Sequence, residues 1–365
     1  MKIQIAGITS LVVMAAAGCS NAETPAFEDM LKIDVHAHFF DDLPELAAML
    51  RNNNMCAVNI CLYGTRPELL EPGHLRAVYL QQTYAPQFFF ASTFDLTQRN
   101  EPDYAERVNA WLDRTFEDGA LMVKLWKEVG MEIKKPDGTF IMPDDPVFDP
   151  IYNHIAKRGK VLMMHVADPI EAWRPLDPSS IHYSYYRDNP EWHVHNREGF
   201  PSHEAIMAAR DNVLAKHPDL VVIGAHFGSM THDLDAVAER FEHFPNFYVD
   251  VSARTPVLFG KPARQVREFF IKYQDRILYG KDASKFSPLG PPPEAERIAF
   301  AESMDKAYRA DFQYYAGKGT AAFGGGEVEC LNLPREVLEK FFYKNAQRLM
   351  PGLAAAGKET SQATE

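Results

Sequence analysis

Short apolar runs recur along the chain, and most are followed by an amphipathic stretch. The runs cover residues 32–35, 55–62, 88–94, 120–126, 160–165, 220–226, 247–252 and 277–279. Several are apolar throughout, as strands buried on both faces are, rather than alternating as half-exposed strands do. Segments 104–116, 147–157, 203–216, 234–243 and 263–273 place apolar residues at helical spacing instead. Eight such alternations predict an α/β chain closed into a (β/α)8 TIM barrel, one domain spanning 31–350. The competing architecture, an open doubly wound sheet, wants a glycine-rich phosphate turn after an early strand, and the sequence has none.

Two connections are unusually long: 167–201 after the fifth run and 283–333 after the eighth. In a barrel the loops that follow strands line the active-site face, where long ones serve as lids or pocket walls. The first carries Trp173, Tyr183, Tyr185, Tyr186 and Trp192 together with Arg187, His193, His195 and Arg197. Those residues can pack the loop onto the barrel rim, read a polar substrate group, or do both.

Composition changes the picture in two places. The formal net charge of −12 excludes nucleic acid as a partner, because a phosphate backbone needs a Lys/Arg surface. It leaves an acidic small molecule open as substrate, since a pocket can be locally basic. At the N-terminus, Lys2 precedes an apolar run over 3–17 and then Gly18-Cys19-Ser20. The run is too short for a membrane span. Ala16-Ala17-Gly18-Cys19 resembles a bacterial lipobox, in which the signal is cut ahead of the cysteine and the cysteine is acylated. Residues 1–18 are therefore expected to be a lipoprotein signal and 19–30 a tether from acylated Cys19. The small, polar residues 351–365 read as a disordered tail. Ser20 and Asn21 are not acidic, so the expected location is the outer membrane, with the barrel in the periplasm. Cys56, Cys61 and Cys330 read as buried thiols. The first two lie about 16 Å apart on opposite faces of a strand, too far to bridge.

The candidate chemistry sits at strand ends. The first run ends Ile33-Asp34-Val35-His36-Ala37-His38. Alternate strand residues face one side, so the two imidazoles point together, a spacing that suits a zinc-type ion. The fifth run ends in His165 and the sixth in His226, and the eighth continues Tyr279-Gly280-Lys281-Asp282. Each alone reads as an ordinary rim residue. Jointly, four strands deliver His36 and His38, His165, His226 and the carboxylate of Asp282 to the face where barrel enzymes keep their chemistry. Lys124, late in the fourth run, conflicts with a neighbouring dication, so its ammonium must be neutral, displaced or modified.

These pieces resemble the amidohydrolase-related family of the amidohydrolase superfamily. The likeness rests on the His36-Ala37-His38 strand, His165, His226-Phe227-Gly228 and Val249-Asp250-Val251-Ser252. Leu278-Tyr279-Gly280-Lys281-Asp282 and Lys344-Asn345-Ala346 complete it, so that it spans 31–349. The resemblance implies that His36, His38, His165 and Asp282 hold one divalent ion, zinc by preference. It also implies that His226 meets the substrate and is catalytic with Asp282. In some superfamily members the lysine corresponding to Lys124 is carboxylated and bridges a second ion. Lys281 departs from the pattern, in which Ser or Thr usually precedes the aspartate.

The activity so implied is hydrolysis of a small ester, lactone or amide by metal-activated water, with Asp282 shuttling the proton and His226 donating to the oxyanion or orienting the substrate. The alternative is nonhydrolytic decarboxylation of an aromatic or unsaturated carboxylic acid. That reaction needs an arginine on the carboxylate, for which Arg187, Arg197 and Arg254 are candidates; Trp173 completes the set of candidate substrate contacts. A third reading is an inactive binding lipoprotein, which has no physical need for an intact His and Asp set.

Overall fold

The computed structural model describes residues 25–287, 292–323 and 326–356. The expected signal segment and Cys19 lie outside them. Eight strands follow the predicted order: β1 (Lys32–Phe39), β2 (Met55–Asn59), β3 (Phe88–Ser92), β4 (Met122–Leu125), β5 (Val161–Met164), β6 (Val222–Gly224), β7 (Phe247–Asp250) and β8 (Ile277–Leu278). A short β9 (Ala283–Lys285) follows. Each strand pairs in parallel with its neighbour in sequence. β8 pairs with β7, and β9, continuing from it after residues 279–282, pairs with β1. Val35 N donates to Tyr279 O at 3.1 Å and Asp282 N to His36 O at 2.7 Å. β8 and β9 thus act as one interrupted eighth strand, and the sheet closes on itself as a (β/α)8 barrel.

The strands are buried on both faces because two apolar layers sandwich them. Ile33, Val35, Val58, Met122, Met163, Ile223 and Leu278 fill the barrel interior. Ala37, Phe39, Ala57, Phe88, Val123, Leu162, Val222 and Val249 face the helical shell. One device in β1 decides where the chemistry points. Its register against β2 shifts between Asp34 and Ala37. Ile33 and Val35 pack inside, whereas Ala37 and Phe39, of the same parity, pack outside. The irregularity flips the alternation, so His36 and His38 turn inward while Asp34 faces the shell. Bulges of this kind re-aim side chains beside active sites.

The helices Tyr104–Glu117, Asp149–Lys157, His203–Lys216, Leu234–His243 and Ala263–Lys272 lie where helical spacing predicts them. The connection after the eighth strand is not mainly loop, however. It holds the helix Glu294–Ala316 and a hairpin, Thr320–Phe323 against Gly326–Glu329. That helix buries Ala301, Met304, Tyr308, Asp311, Phe312 and Tyr315, a stripe whose polar members hide it from hydropathy. Its Tyr308 hydroxyl donates to Asp34 Oδ2 at 2.7 Å, and Tyr279 and Lys281 both reach Asp311 at 2.9 Å. The packed body also extends past 31–350. Phe27 and Met30 are buried, and Pro351–Ala355 forms a turn whose Leu353 joins the interior cluster. Residues 357–365 of the expected tail lie outside the described residues.

The connection over 167–201 is pinned rather than loose. Lys127 Nζ donates to both Asp168 oxygens at 2.9 and 3.1 Å and to Tyr185 Oη at 3.0 Å, and lies 3.7 Å above the Trp192 ring. Trp173 donates to Pro201 O at 2.9 Å, and its ring meets that of buried His203 edge-on. His203 Nε2 faces Ser229 O at 3.0 Å. Burial lowers its pKa to about 4, against roughly 6.5 in an unfolded chain. Between those values the unfolded state binds more protons than the folded one, so stability falls as pH drops through that window. His203→Gln, which keeps an amide donor for Ser229, is expected to lose less melting temperature than wild type between pH 7 and pH 4. The difference should reach up to about 3 kcal/mol. Equal losses in both proteins would place the acid-labile group elsewhere.

Candidate metal centre

A row of four imidazoles crosses the C-terminal mouth of the barrel. Ring centroids are separated by 5.1 Å from His38 to His36, 4.8 Å from His36 to His226 and 4.3 Å from His226 to His165. At one end, Asp282 Oδ1 lies 3.2 Å from His38 Nε2 and 3.6 Å from His36 Nε2. His36, His38 and Asp282 form a group whose potential ligand atoms all lie within 4.8 Å of one another. His165 stands outside that triad, at the far end of the row. Its Nε2 is buried without a hydrogen-bond partner, with Asp168 Oδ1 3.7 Å away.

The other ring nitrogens are already committed. His38 Nδ1 lies 2.7 Å from Ile60 O and His226 Nδ1 lies 3.0 Å from Ser252 O. A carbonyl only accepts, so both Nδ1 atoms carry a proton, and in each ring Nε2 is the atom left to meet a ligand. His36 Nδ1 sits 3.0 Å from Asp250 Oδ2 and 2.9 Å from Ser252 Oγ, which fixes the same tautomer. Asp250 is wholly buried. Its other oxygen accepts from the backbone N–H groups of His226 and Ser252, each at 3.0 Å, and from the Ser252 hydroxyl. Asp34 works on the shell side, where Oδ1 takes His36 N at 2.9 Å and Lys281 N at 3.0 Å. Such outer contacts orient the rings and raise their basicity toward an ion.

Backbone strain concentrates here. Among the described residues, eight non-glycine residues have positive φ. Three are asparagines, which tolerate it; the rest are His226, Phe227, Ser229, Ala253 and Asp282, all at the mouth. Held elsewhere, each would relax; strain of about 1–3 kcal/mol apiece persists only where surrounding contacts enforce it. Gly280 is needed for a different reason: a Cβ there would come within 3.1 Å of His36 Cβ and 3.3 Å of Ser252 Cβ.

Electrostatics complete the picture. Burial pushes the pKa of His165 and His226 well below the usual value, so both are neutral. A neutral His226 with its proton on Nδ1 offers a lone pair at Nε2. Of the two roles expected for His226, donation to an oxyanion would need the imidazolium, which burial disfavours, whereas orienting the substrate would not. Burial would raise Asp282, but the surrounding His226, His38 and His36 hold it well below the usual carboxylate range. Lys124 is fully buried, with Nζ 3.0 Å from His36 Nε2. Burial brings its pKa down to about 8 despite the nearby Asp250 and Asp282.

The remaining sequence candidates divide. Arg254 lies four residues past the end of β7, buried beside the mouth. Arg187 is exposed and paired with Asp188 at 2.7 Å. Arg197 is spent on the Glu191 and Pro190 carbonyls of its own loop. Trp173 packs the loop through Pro201. These three do not come to the centre. Two residues with no role assigned from sequence do: Asp250, the last residue of β7, and Ser252, two residues beyond it. The parity that singles out His36 and His38 applies to them as well. Trp126 is a third, tilted against His38 at 5.5 Å and against Tyr63 at 5.0 Å, with its Nε1 buried and unpartnered.

The family model described as Amidohydrolase matches residues 99–351. No curated protein matches the chain. Among solved structures, one described as amidohydrolase II aligns with a TM-score of 0.52 at 17% identity, over 88% of this chain and 99% of that one. A dihydroxybenzoic acid decarboxylase from Polaromonas, with bound manganese, aligns at 0.51 and 13% identity over 90% and 99%. A 5-carboxyvanillate decarboxylase from Novosphingobium aromaticivorans, complexed with manganese, aligns at 0.50 and 14% over 90% and 98%. At these identities the likeness is one of fold.

Proposed function

The chain belongs to the amidohydrolase family, and on that premise we propose that it is a metal-dependent hydrolase of a small ester, lactone or amide. One observation carries the reading. Asp282, an ionised carboxylate whose side chain is 29% exposed, stands 3.6 and 3.2 Å from the Nε2 atoms of His36 and His38. That is a proton acceptor at the edge of a nitrogen-rich site, open to water where its neighbours are sealed.

The residues present fit a divalent ion. The Nδ1 atoms of His36, His38 and His226 are engaged, so their Nε2 atoms are the ones left for an ion, the one on His36 once Lys124 Nζ withdraws from it, and His165 Nε2 is buried with nothing to bond. His36, His38 and Asp282 would hold the ion, with His165 as the further ligand. Imidazole-rich sets favour zinc; two of the solved structures of similar fold carry manganese. When bound, the ion supplies Lewis acidity that draws the pKa of a water from about 15.7 toward about 7. Asp282 then takes the proton of the attacking water and returns it to the departing alkoxide or amine. His226 accepts or ligates through Nε2, and the Asp250–Ser252 pair holds it and His36 in register. Lys124 cannot keep its ammonium 3.0 Å from a ligating nitrogen. Carboxylation of that amine would turn it into an anionic ligand, with which the site could hold a second ion.

A panel of small esters, lactones and amides set against aromatic and unsaturated carboxylic acids tests the reaction. Turnover is expected in the hydrolysable class. Release of CO₂ from an acid, with no hydrolysis of any member, would replace hydrolysis by decarboxylation on the same residues.

We also propose that the protein is exported and anchored through Cys19. The apolar run over 3–17 ending at Gly18-Cys19 supports this. No described helix is long and apolar enough to cross a membrane. Acyl chains bind at about 0.8 kcal/mol per buried CH₂, and stable anchoring takes two signals such as dual acylation. Cys19→Ser is expected to move the protein from the membrane fraction to the soluble one. Recovery of wild type from the cytosol with Met1 still attached would contradict export.

A further inference from the structure

The turn that carries Asp282 has little sheet behind it. β8 has two residues, against eight in β1. The turn over 279–282 leaves β8 and ends in the positive φ of Asp282, 64°, a conformation that persists only where surrounding contacts enforce it. Backbone bonds to β1 supply part of that enforcement, from Val35 N to Tyr279 O and from Asp282 N to His36 O. The rest comes from outside the barrel.

Alternate residues of the turn serve opposite sides. Gly280 and Asp282 meet the centre: a Cβ on Gly280 would crowd His36 Cβ, and Asp282 Oδ1 approaches His38 Nε2. Tyr279 and Lys281 reach the helix Glu294–Ala316. Both end on a single oxygen, since the Tyr279 hydroxyl and Lys281 Nζ each donate to Asp311 Oδ2 at 2.9 Å. Asp311 is 5% exposed, and a carboxylate so buried is held by its cation and hydrogen bonds or is costly to keep. Three residues earlier on the same helix, Tyr308 donates to Asp34 Oδ2 at 2.7 Å. Asp34 Oδ1 in turn takes Lys281 N at 3.0 Å and His36 N at 2.9 Å. One helix therefore grips β1 through Asp34 and the 279–282 turn through Asp311, at the seam where the barrel closes and where His36 must meet Asp282.

We propose that Lys281 and Asp311 are positioning residues, whose ion pair draws the turn against the helix and so sets the Asp282 carboxylate against His36 and His38. The proposal rests on the metal-dependent reading above. Its test starts from full-length protein freed of metal by chelator. Zinc is titrated in competition with a chromophoric chelator, and cobalt(II) is added separately because its visible absorption reports ligand geometry. Lys281→Met is expected to bind zinc roughly 10- to 100-fold more weakly than wild type, the usual cost of losing a group behind a ligand. Its cobalt spectrum should change, and its kcat should fall with KM little altered. Lys281→Arg, which keeps the cation and the reach, should restore most of the affinity and the wild-type spectrum. The double variant Lys281→Met/Asp311→Asn leaves no stranded charge and keeps an acceptor for Tyr279. It carries the same prediction as Lys281→Met even where the single variant fails to fold. Variants that melt lower yet keep wild-type zinc affinity and cobalt spectrum would overturn the proposal, since the pair would then serve stability alone. So would a Lys281→Arg protein as impaired as Lys281→Met. A wild type that takes up neither ion overturns the metal centre and the proposal together, whereas uptake that the variants match overturns the proposal alone.

Discussion

Asp282→Asn is expected to keep its divalent ion and lose roughly 10²–10⁴-fold in turnover. The substitution preserves shape and one oxygen directed at His38 Nε2, which lies 3.2 Å from the carboxylate. It preserves the backbone too, because asparagine tolerates the positive φ of 64° found there, and Asp282 N continues to donate to His36 O. What disappears is the ability to take a proton. The wild-type carboxylate lies well below the usual carboxylate range, so at neutral pH it is ionised and can accept one, and the amide never can. That loss corresponds to about 3–5 kcal/mol of barrier. Metal content and kcat measured on the same preparation decide the matter. Unchanged kcat with full metal would remove Asp282 from the proton path.

His36→Ala should be more damaging, abolishing both ion and activity. His36 is the most embedded member of the row. It faces Asp250 and Ser252 through Nδ1 and Lys124 through Nε2, with His38 and His226 against its ring. Alanine removes one nitrogen ligand and strands the wholly buried Asp250 Oδ2, a penalty of about 1–3 kcal/mol before the cavity is counted. A lower melting temperature should therefore accompany the loss of metal. Lys124→Met separates one ion from two. A carboxylated bridge predicts two ions per chain in wild type, dependent on bicarbonate, and one or none in the variant. A single ion unaffected by either change would leave Lys124 without a bridging role.

The barrel is legible in the sequence because its strands are buried on both faces and so read as unbroken apolar runs. The helix Glu294–Ala316 is not, because its buried stripe includes Asp311 and Tyr308, which serve Lys281 and Asp34 rather than an apolar core. His36-Ala37-His38 announces two rings on one side of a strand. It does not announce which side, for the register shift between Asp34 and Ala37 turns them inward. Asp250 and Ser252 carry the same alternate spacing, yet their work, fixing the tautomers of two rings on other strands, exists only once the barrel closes. The arginines make the same point. Arg254 sits in the short turn between β7 and the helix Thr255–Leu258 and has little choice of position, whereas Arg187 and Arg197 go where a 35-residue connection takes them, which is onto their own loop.

The central claim, a metal ion that performs the chemistry on these residues, meets its most direct test in elemental analysis of the purified protein coupled to activity before chelation, after it, and after divalent metal is added back. At least one ion per chain is expected, with activity vanishing and returning in step with occupancy and with no such recovery in His36→Ala. Full activity in wild-type protein stripped of metal would contradict the account.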